Sequence, residues 1–325
     1  MPAVLLYFQF HQPFRLRKYT VFDSDHAYFD SKLNPALVRK MAEAAYLPLL
    51  RVIHGLLHPP IADPNAEPPP PFRVALSLSA TLIEQLEVHV PEVLHLLHTL
   101  AASPYVEFLS ETSHHSLAFL RSRGEAIEQV NLHRHMLKRL FGFAPTTLRN
   151  TELIYDNSVA SLAADLGFSA ILAEGYEPAL NHRSAAFPYS AQLPAAVAGL
   201  PALPAPTLLL RHHDLSAALL TRAAAAAPEP PPKDDFAHHV ANIGGPLCNL
   251  FLPAEALALP NGPALLQLLT DLPRQLHALH CPFLLPRDAP AHTASAGPLD
   301  IPLPTSWTPP HNDLSPFLGN AMQQN

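Results

Sequence analysis

Charge, cysteine and long apolar runs are all scarce in this 325-residue chain, and each scarcity excludes a class of protein. Charged residues make up 14% of the sequence, against about 25% in typical soluble domains. The net charge of −7 argues against a protein that binds a nucleic-acid backbone. Two cysteines, Cys248 and Cys281, are too few for a disulfide framework and too widely spaced for a zinc knuckle. No uninterrupted apolar run reaches the roughly 18 residues that a membrane helix needs.

The amino terminus also lacks the basic start and small-residue cleavage site of a secretory signal. We therefore expect a cytoplasmic protein in which both thiols are reduced and buried. Hydrophobic residues reach 48% and include 16 Phe, so the chain can bury a sizeable core. The 38 prolines exclude a mostly helical bundle, because proline breaks helix interiors.

Short runs of β-forming residues alternate with longer segments of helical periodicity. Strands are predicted at 4–10, 72–79, 105–110, 146–149, 168–173, 207–211 and 246–252. Helices are predicted at 35–57, 81–100, 125–141, 158–166, 215–226 and 264–280. Such alternation is typical of a parallel sheet with right-handed crossovers. We predict an α/β fold in which the seven strands over residues 1–285 suit a barrel better than an open sheet, although periodicity alone leaves closure open. An extension at 286–325 is expected to pack on this barrel.

Polar residues are concentrated just after the predicted strands. They are His11, Gln12, Ser79, Glu111, His114, His115, Asn150, Glu152 and Glu174. In a β/α barrel these positions meet at the carboxyl-terminal rim, where active sites are built. Carboxylates with nearby amides and imidazoles suit a hydroxyl-rich ligand, and glycoside cleavage needs a carboxylate pair.

Simpler explanations compete with this one. A single carboxylate after a strand is usually a helix cap or a solvated charge, so only the three together favour a site. The sequence has 20 histidines, but His133 and His135 face different sides of a predicted helix and the other pairs lack a third ligand. We therefore predict no metal and no cofactor. The single tryptophan, Trp307, is either a platform for a sugar ring or a packing anchor.

Six blocks, in order, resemble glycoside hydrolase family 57, the α-amylase and glucanotransferase family. The first reads Leu-Tyr-Phe-Gln-Phe-His-Gln-Pro-Phe-Arg-Leu at 6–16, and the most specific are Glu-Phe-Leu-Ser-Glu-Thr-Ser-His-His-Ser-Leu at 107–117 and Arg-Asn-Thr-Glu-Leu-Ile-Tyr at 149–155. The other three are Tyr-Phe-Asp at 28–30, 72–79 and Leu-Ala-Glu-Gly at 172–175, and the match returns at 299–307 and 313–322. The resemblance implies a (β/α)7 barrel acting on an α-glucan or maltooligosaccharide with a retaining mechanism.

The resemblance also implies roles for individual residues. Glu152 matches the family nucleophile. His11 matches a sugar-contacting histidine, and Glu111 and His115 match rim positions. The predicted substrate-binding set is His11, Gln12, Glu111, His115, Asn150, Glu174 and Trp307.

One departure puts the activity in doubt. Where the family has its acid, an Asp directly after an apolar strand, this chain has Pro253, which has no proton to donate. General-acid assistance is worth about 10²–10⁴-fold, so we predict weak or absent hydrolysis with binding retained. The alternatives are an active hydrolase or 4-α-glucanotransferase that uses Glu255, Asp234 or Asp235, and a scaffold that no longer binds sugar.

Overall fold

The computed structural model describes residues 1–58, 71–194, 203–226, 236–309 and 311–318. Seven parallel strands form its centre, in the order β3-β2-β1-β8-β7-β5-β4. They are β1 (Ala3–Phe10), β2 (Val74–Leu78), β3 (Val106–Leu109), β4 (Thr147–Arg149), β5 (Ala170–Glu174), β7 (Thr207–Arg211) and β8 (Leu247–Pro253). Ser110 joins β3 to β4, because its N–H donates to Thr147 O at 3.0 Å and its carbonyl accepts from Arg149 N at 2.8 Å. The sheet is therefore nearly closed, which confirms the predicted (β/α)7 barrel.

Two short strands lie outside this ring and were not predicted. Strand β6 (Tyr189–Ala191) pairs antiparallel with β7, and β9 (Pro298–Leu299) pairs parallel with β6. Strands of three and two residues are too short to show an alternating pattern, so periodicity does not detect them.

Helices surround the ring. They are α1 (Leu33–Met41), which continues through a π-helical turn (Ala42–Tyr46) into α2 (Leu47–Leu57), then α3 (Ala80–His89), α4 (Pro91–Ala101), α5 (Arg123–Phe141), α6 (Asn157–Asp165), α7 (His213–Ala224), α8 (Phe236–Ala241), α9 (Gly262–Ala278), α10 (Ala289–His292) and α11 (Ser315–Leu318). The single helix predicted at 81–100 is wrong: it is two helices, because Pro91 starts a new one. None of the described helices is both long and apolar enough to span a bilayer.

The strands divide the core into an outer and an inner layer. On β1, Leu6 and Phe8 pack against the helices, whereas Leu5 and Tyr7 point into the barrel with Phe251 of β8. Towards the rim this interior becomes polar, and Arg149 and Arg211 are almost completely buried there. Buried guanidinium groups need paired carboxylates, so the upper barrel is built for charged groups.

Residues 286–309, here called the strap, run from the base of the barrel to its rim. At the base Ala289 joins the barrel interior, and Arg287 N donates to Glu107 of β3 at 2.9 Å. At the rim Thr305 forms a bridge with Tyr155, just after β4. The strap thus contacts both ends of the barrel, and its final residues lie beside the candidate site.

Candidate active site

Glu152 lies on a tight turn after β4. Residues Thr151–Leu153 form a 3-10 turn in which Glu152 has φ 53° and Leu153 has φ 50°. The left-handed region is costly for residues with a side chain, so the surrounding contacts must hold this turn. Asn150 Nδ2 donates to Ile154 O at 3.0 Å across the turn. From the strap, Ser306 Oγ and the backbone N of Trp307 donate to Glu152 O at 3.1 and 3.2 Å.

The Glu152 carboxylate is clamped from two sides yet remains open to solvent. His115 Nε2 donates to Oε1 at 2.8 Å, and Thr308 Oγ1 donates to Oε2 at 3.2 Å. Its side chain is 21% exposed. Burial alone would raise the pKa, but the hydrogen bond and charge of His115, together with the charge of Arg149, lower the pKa of Glu152 to about 2. Glu152 is therefore ionised near neutral pH, as a nucleophile must be.

His115 sits between two carboxylates. Its Nδ1 lies 3.6 Å from Glu111 Oε2, which is an ion-pair distance rather than a hydrogen bond. Although burial lowers it, Glu111 and Glu152 together raise the pKa of His115 above its usual value. The ring stacks on His11, with centroids 4.2 Å apart. His115 is thus a buried ring that holds its proton to higher pH than a free imidazole, because two carboxylates lie beside it.

Glu111 lies below the rim rather than on it. Its side chain has no exposed surface. It accepts hydrogen bonds from Ser77 Oγ at 3.0 Å and Arg149 Nη1 at 3.1 Å. Against the effect of burial, His115 and Arg149 lower the pKa of Glu111 to about 2. The structure therefore gives Glu111 a positioning role towards His115 and no surface for a sugar to touch.

His133, predicted to be one of several scattered histidines, is completely buried beneath this cluster. Its Nδ1 accepts from Glu111 N at 3.3 Å and its Nε2 donates to Leu78 O at 2.7 Å. Within the described ranges, no group of three His, Cys, Asp or Glu side chains has the arrangement of a metal site.

His11 reaches the rim, and Gln12 turns away from it. His11 Nδ1 lies 2.8 Å from Ser79 Oγ, and burial together with the charge of His115 lowers the pKa of His11 to about 3. Its imidazole is neutral, so it can both donate and accept. Gln12 is buried, and its Oε1 accepts from Arg15 Nη2 at 3.1 Å.

Pro253 ends β8 directly beside Gln9 of β1. Gln9 Oε1 accepts from Arg149 Nη2 at 2.5 Å, so this part of the rim adjoins the charged cluster. Glu255 follows on a 3-10 turn, and its Oε1 accepts from Tyr46 OH at 2.6 Å and from His11 N at 3.0 Å. These two donors tie Glu255 to the exit of β1, and none of the described hydrogen bonds joins it to Glu152.

A second charged cluster lies after β5 and β7. Glu174 is fully buried, and it accepts from Arg211 Nη1 at 2.8 Å and from His213 Nδ1 at 3.1 Å. The Trp307 ring packs edge-on against Phe251 at 5.1 Å, with the Arg211 guanidinium 5.8 Å from its centroid. Trp307 therefore serves as a packing anchor here, while its backbone supports Glu152.

Sequence reasoning missed Arg149, Arg211, His213 and Tyr46. A signal existed for the two arginines, since each is the last residue of its strand and directly follows leucine. Tyr46 gave no signal, because it lies on a helix more than 200 positions from its partner Glu255.

The sequence matches the model of Glycosyl hydrolase family 57 over residues 5–301. The chain belongs to this family. A relative from Methanocaldococcus jannaschii, named "Putative alpha-amylase", is 38% identical over 186 residues, which cover 56% of this chain and 38% of the relative. The chain thus spans well under half of that relative.

Solved structures agree with the family 57 fold. The 4-alpha-glucanotransferase from Thermococcus litoralis has a TM-score of 0.68 and 11% identity, over 94% of this chain and 42% of that one. The GH57-type branching enzyme from Pyrococcus horikoshii has a TM-score of 0.69 and 12% identity, over 99% of this chain and 76% of that one. At such identity the likeness establishes the barrel alone.

Proposed function

We propose that this chain binds an α-glucan across the rim and that Glu152 is the nucleophile of a retaining mechanism. The observation that carries the proposal is a partly exposed carboxylate at the barrel mouth whose pKa is lowered to about 2. In such a mechanism the carboxylate attacks the anomeric carbon and forms a glycosyl-enzyme, which water or another sugar then releases. His11, beside His115, is the proposed sugar contact.

The same proposal holds that departure of the leaving group limits turnover. Pro253 stands where the family acid would be, and an uncharged ring cannot protonate the departing oxygen. A sugar alkoxide is a poor leaving group, so losing the acid costs about 10²–10⁴-fold. We expect weak hydrolysis of natural α-glucans together with intact binding of maltooligosaccharides.

The test uses a dinitrophenyl α-maltooligoside, whose leaving group needs no proton, with azide present and products read by mass. We expect a glycosyl azide that disappears in Glu152→Gln, a variant of nearly equal size. If binding is measured separately and no azide product forms, the nucleophile role is wrong and the rim only binds glucan. Loss of binding as well would favour the scaffold alternative.

One observation favours an active enzyme that uses Glu255. Burial raises the pKa of Glu255, although Tyr46 and His11 N partly offset this, so the carboxyl keeps its proton to higher pH. An acid role requires Glu255→Gln to abolish cleavage of maltooligosaccharides but to spare the dinitrophenyl substrate. Asp234 and Asp235, the other proposed replacements, lie outside the described residues.

The predicted cytoplasmic location remains part of this proposal. Its support is that Cys248 and Cys281 are both buried, unpaired thiols.

A further inference from the structure

We propose that His213, oriented by Glu174, is the group that protonates the departing glucosyl oxygen in whatever turnover this chain retains. The inference rests on the proposed function of Glu152. It concerns a residue outside the blocks that resemble family 57, and it is carried by the second charged cluster.

The barrel topology places His213 just after the strand that neighbours β8, the strand that ends in Pro253. Strand β7 lies between β5 and β8, with Arg211 paired to Glu174 on one side and to Asn249 on the other. His213 comes two residues after Arg211 as the first residue of α7. It therefore leaves the rim between the strand that ends in Glu174 and the strand that ends in Pro253.

Its contacts leave one ring nitrogen available. Nδ1 lies 3.1 Å from Glu174 Oε1, while Glu174 is itself fixed by Arg211 Nη1 at 2.8 Å. The side chain of His213 is 32% exposed, whereas that of Glu174 is 0% exposed. Since the buried carboxylate takes Nδ1, Nε2 points towards the exposed side, and it makes no hydrogen bond to any residue that the structure describes. A buried carboxylate behind an imidazole fixes its orientation and stabilises its charged form.

The surrounding charges favour the protonated ring. The hydrogen bond to Glu174 raises the pKa of His213 above its ordinary value, and this outweighs partial burial. The charge of Glu174 and that of Asp214, the next residue along α7, act in the same direction, whereas Arg211 opposes them. Tyr176 packs against the ring at 5.6 Å between centroids. The ring therefore keeps its proton to higher pH than a free imidazole does, which favours its use as a general acid.

Trp307 connects this cluster to the nucleophile. Its backbone N donates to Glu152 O at 3.2 Å, and its ring lies 5.8 Å from the Arg211 guanidinium. Trp307 therefore contacts Glu152 through its backbone and, through its ring, the arginine that fixes Glu174 behind His213. A sugar bound over this edge of the rim would have the carboxylate on one side and the imidazolium on the other.

The proposed step balances without a further reagent. Glu152 forms a bond to the anomeric carbon as the glycosidic bond breaks and its electron pair passes to the departing oxygen. That oxygen takes the proton from His213 Nε2, which leaves a neutral imidazole. Water, or an acceptor hydroxyl, then attacks the glycosyl-enzyme, returns its proton to Nε2 and frees Glu152.

The experiment compares His213→Gln with wild type on two substrates, maltoheptaose and a dinitrophenyl α-maltooligoside. We expect kcat/KM for maltoheptaose to fall about 10²-fold or more, with less than about a threefold change for the dinitrophenyl substrate. Wild-type activity on maltoheptaose should fall at high pH as His213 loses its proton. This fall should be absent in the variant, because glutamine does not titrate. His212→Asn is the matched control, because it keeps a side-chain cap on the adjacent turn.

Other outcomes overturn the proposal in distinguishable ways. An equal loss on both substrates would indicate a structural role, and no loss on either would remove His213 from the reaction. If wild type cleaves the dinitrophenyl substrate but not maltoheptaose, the nucleophile role of Glu152 is supported and the acid role of His213 is wrong. If wild type cleaves neither although it binds maltoheptaose, the proposed function fails first.

Discussion

At the scale of single residues, His115 does more than any other group to keep Glu152 ionised. His115 donates to Glu152 at 2.8 Å and lies 3.6 Å from Glu111, so a single cation serves two acids. Burial in the barrel would otherwise favour the protonated carboxyl groups. The charge of the proposed nucleophile is thus set largely by a residue that need not react itself.

His115→Gln should raise the pKa of Glu152 from its value of about 2. The wild-type carboxylate is lost only as pH falls through about 2, whereas in the variant it should begin to protonate at or above the ordinary value of about 4.3. We expect kcat/KM on the dinitrophenyl substrate to be flat down to pH 4 in wild type and to fall below about pH 5 in the variant. His114→Gln is the control, since His114 is an exposed neighbour. Superimposable acid limbs would contradict this account of Glu152.

At the scale of elements, the turn after β4 is positioned by a segment 150 residues away. Ser306 Oγ donates to Glu152 O at 3.1 Å, and the positive φ of Glu152 and Leu153 makes this support necessary. Ser306→Ala should cost about 1 kcal/mol of unfolding free energy, because a buried carbonyl loses a donor. It should also lower activity on the dinitrophenyl substrate, since the Glu152 carboxylate is no longer held in position.

Urea denaturation and steady-state kinetics measure both effects. Ser295→Ala, at an exposed position on the same strap, should change neither. A Ser306 variant with unchanged kinetics would show that Trp307 N alone is enough to hold the turn.

At the base of the barrel, a second contact between elements involves Glu107. This contact makes the free energy of unfolding depend on pH. Glu107 of β3 accepts from Thr147 Oγ1 at 2.6 Å and from Arg287 N at 2.9 Å, and burial raises its pKa to about 7. The unfolded carboxyl titrates near 4.3. The folded state therefore binds the proton more tightly, and stability is lost as pH rises from about 4.3 to about 7.

Glu107→Gln should remove most of that slope, because an amide does not titrate. We expect wild type to lose on the order of 1–3 kcal/mol between pH 4.5 and 7 relative to the variant. Urea denaturation at several pH values measures the difference, and parallel curves for the two proteins would show that Glu107 is not the titrating group.

The elements show where sequence reasoning works. All seven ring strands were predicted, because short runs of β-forming residues alternate with segments of helical periodicity. The sequence also predicted that His11, His115 and Glu152 lie close together, because parallel strands end at one rim. Sequence could not say that Glu111 and Glu174 lie beneath that rim, since burial depends on neighbouring strands. Sequence could not predict that Arg149 pairs with Glu111 and Arg211 with Glu174 either, because these pairs depend on which strands are neighbours.

At the scale of the whole molecule, a chain poor in charge places several of its charges inside. Arg149 pairs with Glu111 at 3.1 Å, and Arg211 pairs with Glu174 at 2.8 Å. Desolvating such pairs costs free energy, so they add little stability compared with apolar residues. These pairs supply a fixed electrostatic field at the barrel mouth. Such a field is useful to a site in which charge separates during a reaction.

The strap links the barrel interior to the candidate site, so we expect the two to unfold together. Trp307 packs against Phe251 in the barrel interior, and its backbone supports Glu152. Trp307→Ala should therefore lower the unfolding free energy by about 2 kcal/mol, less than for a fully buried tryptophan, while leaving a single transition. Leu303→Ala is the control on the same strap, because Leu303 is 77% exposed. Denaturation followed by both far-UV circular dichroism and tyrosine fluorescence measures this. If the predicted extension at 286–325 were an independent layer, the variant would show two separate transitions, with the barrel unfolding at its wild-type midpoint.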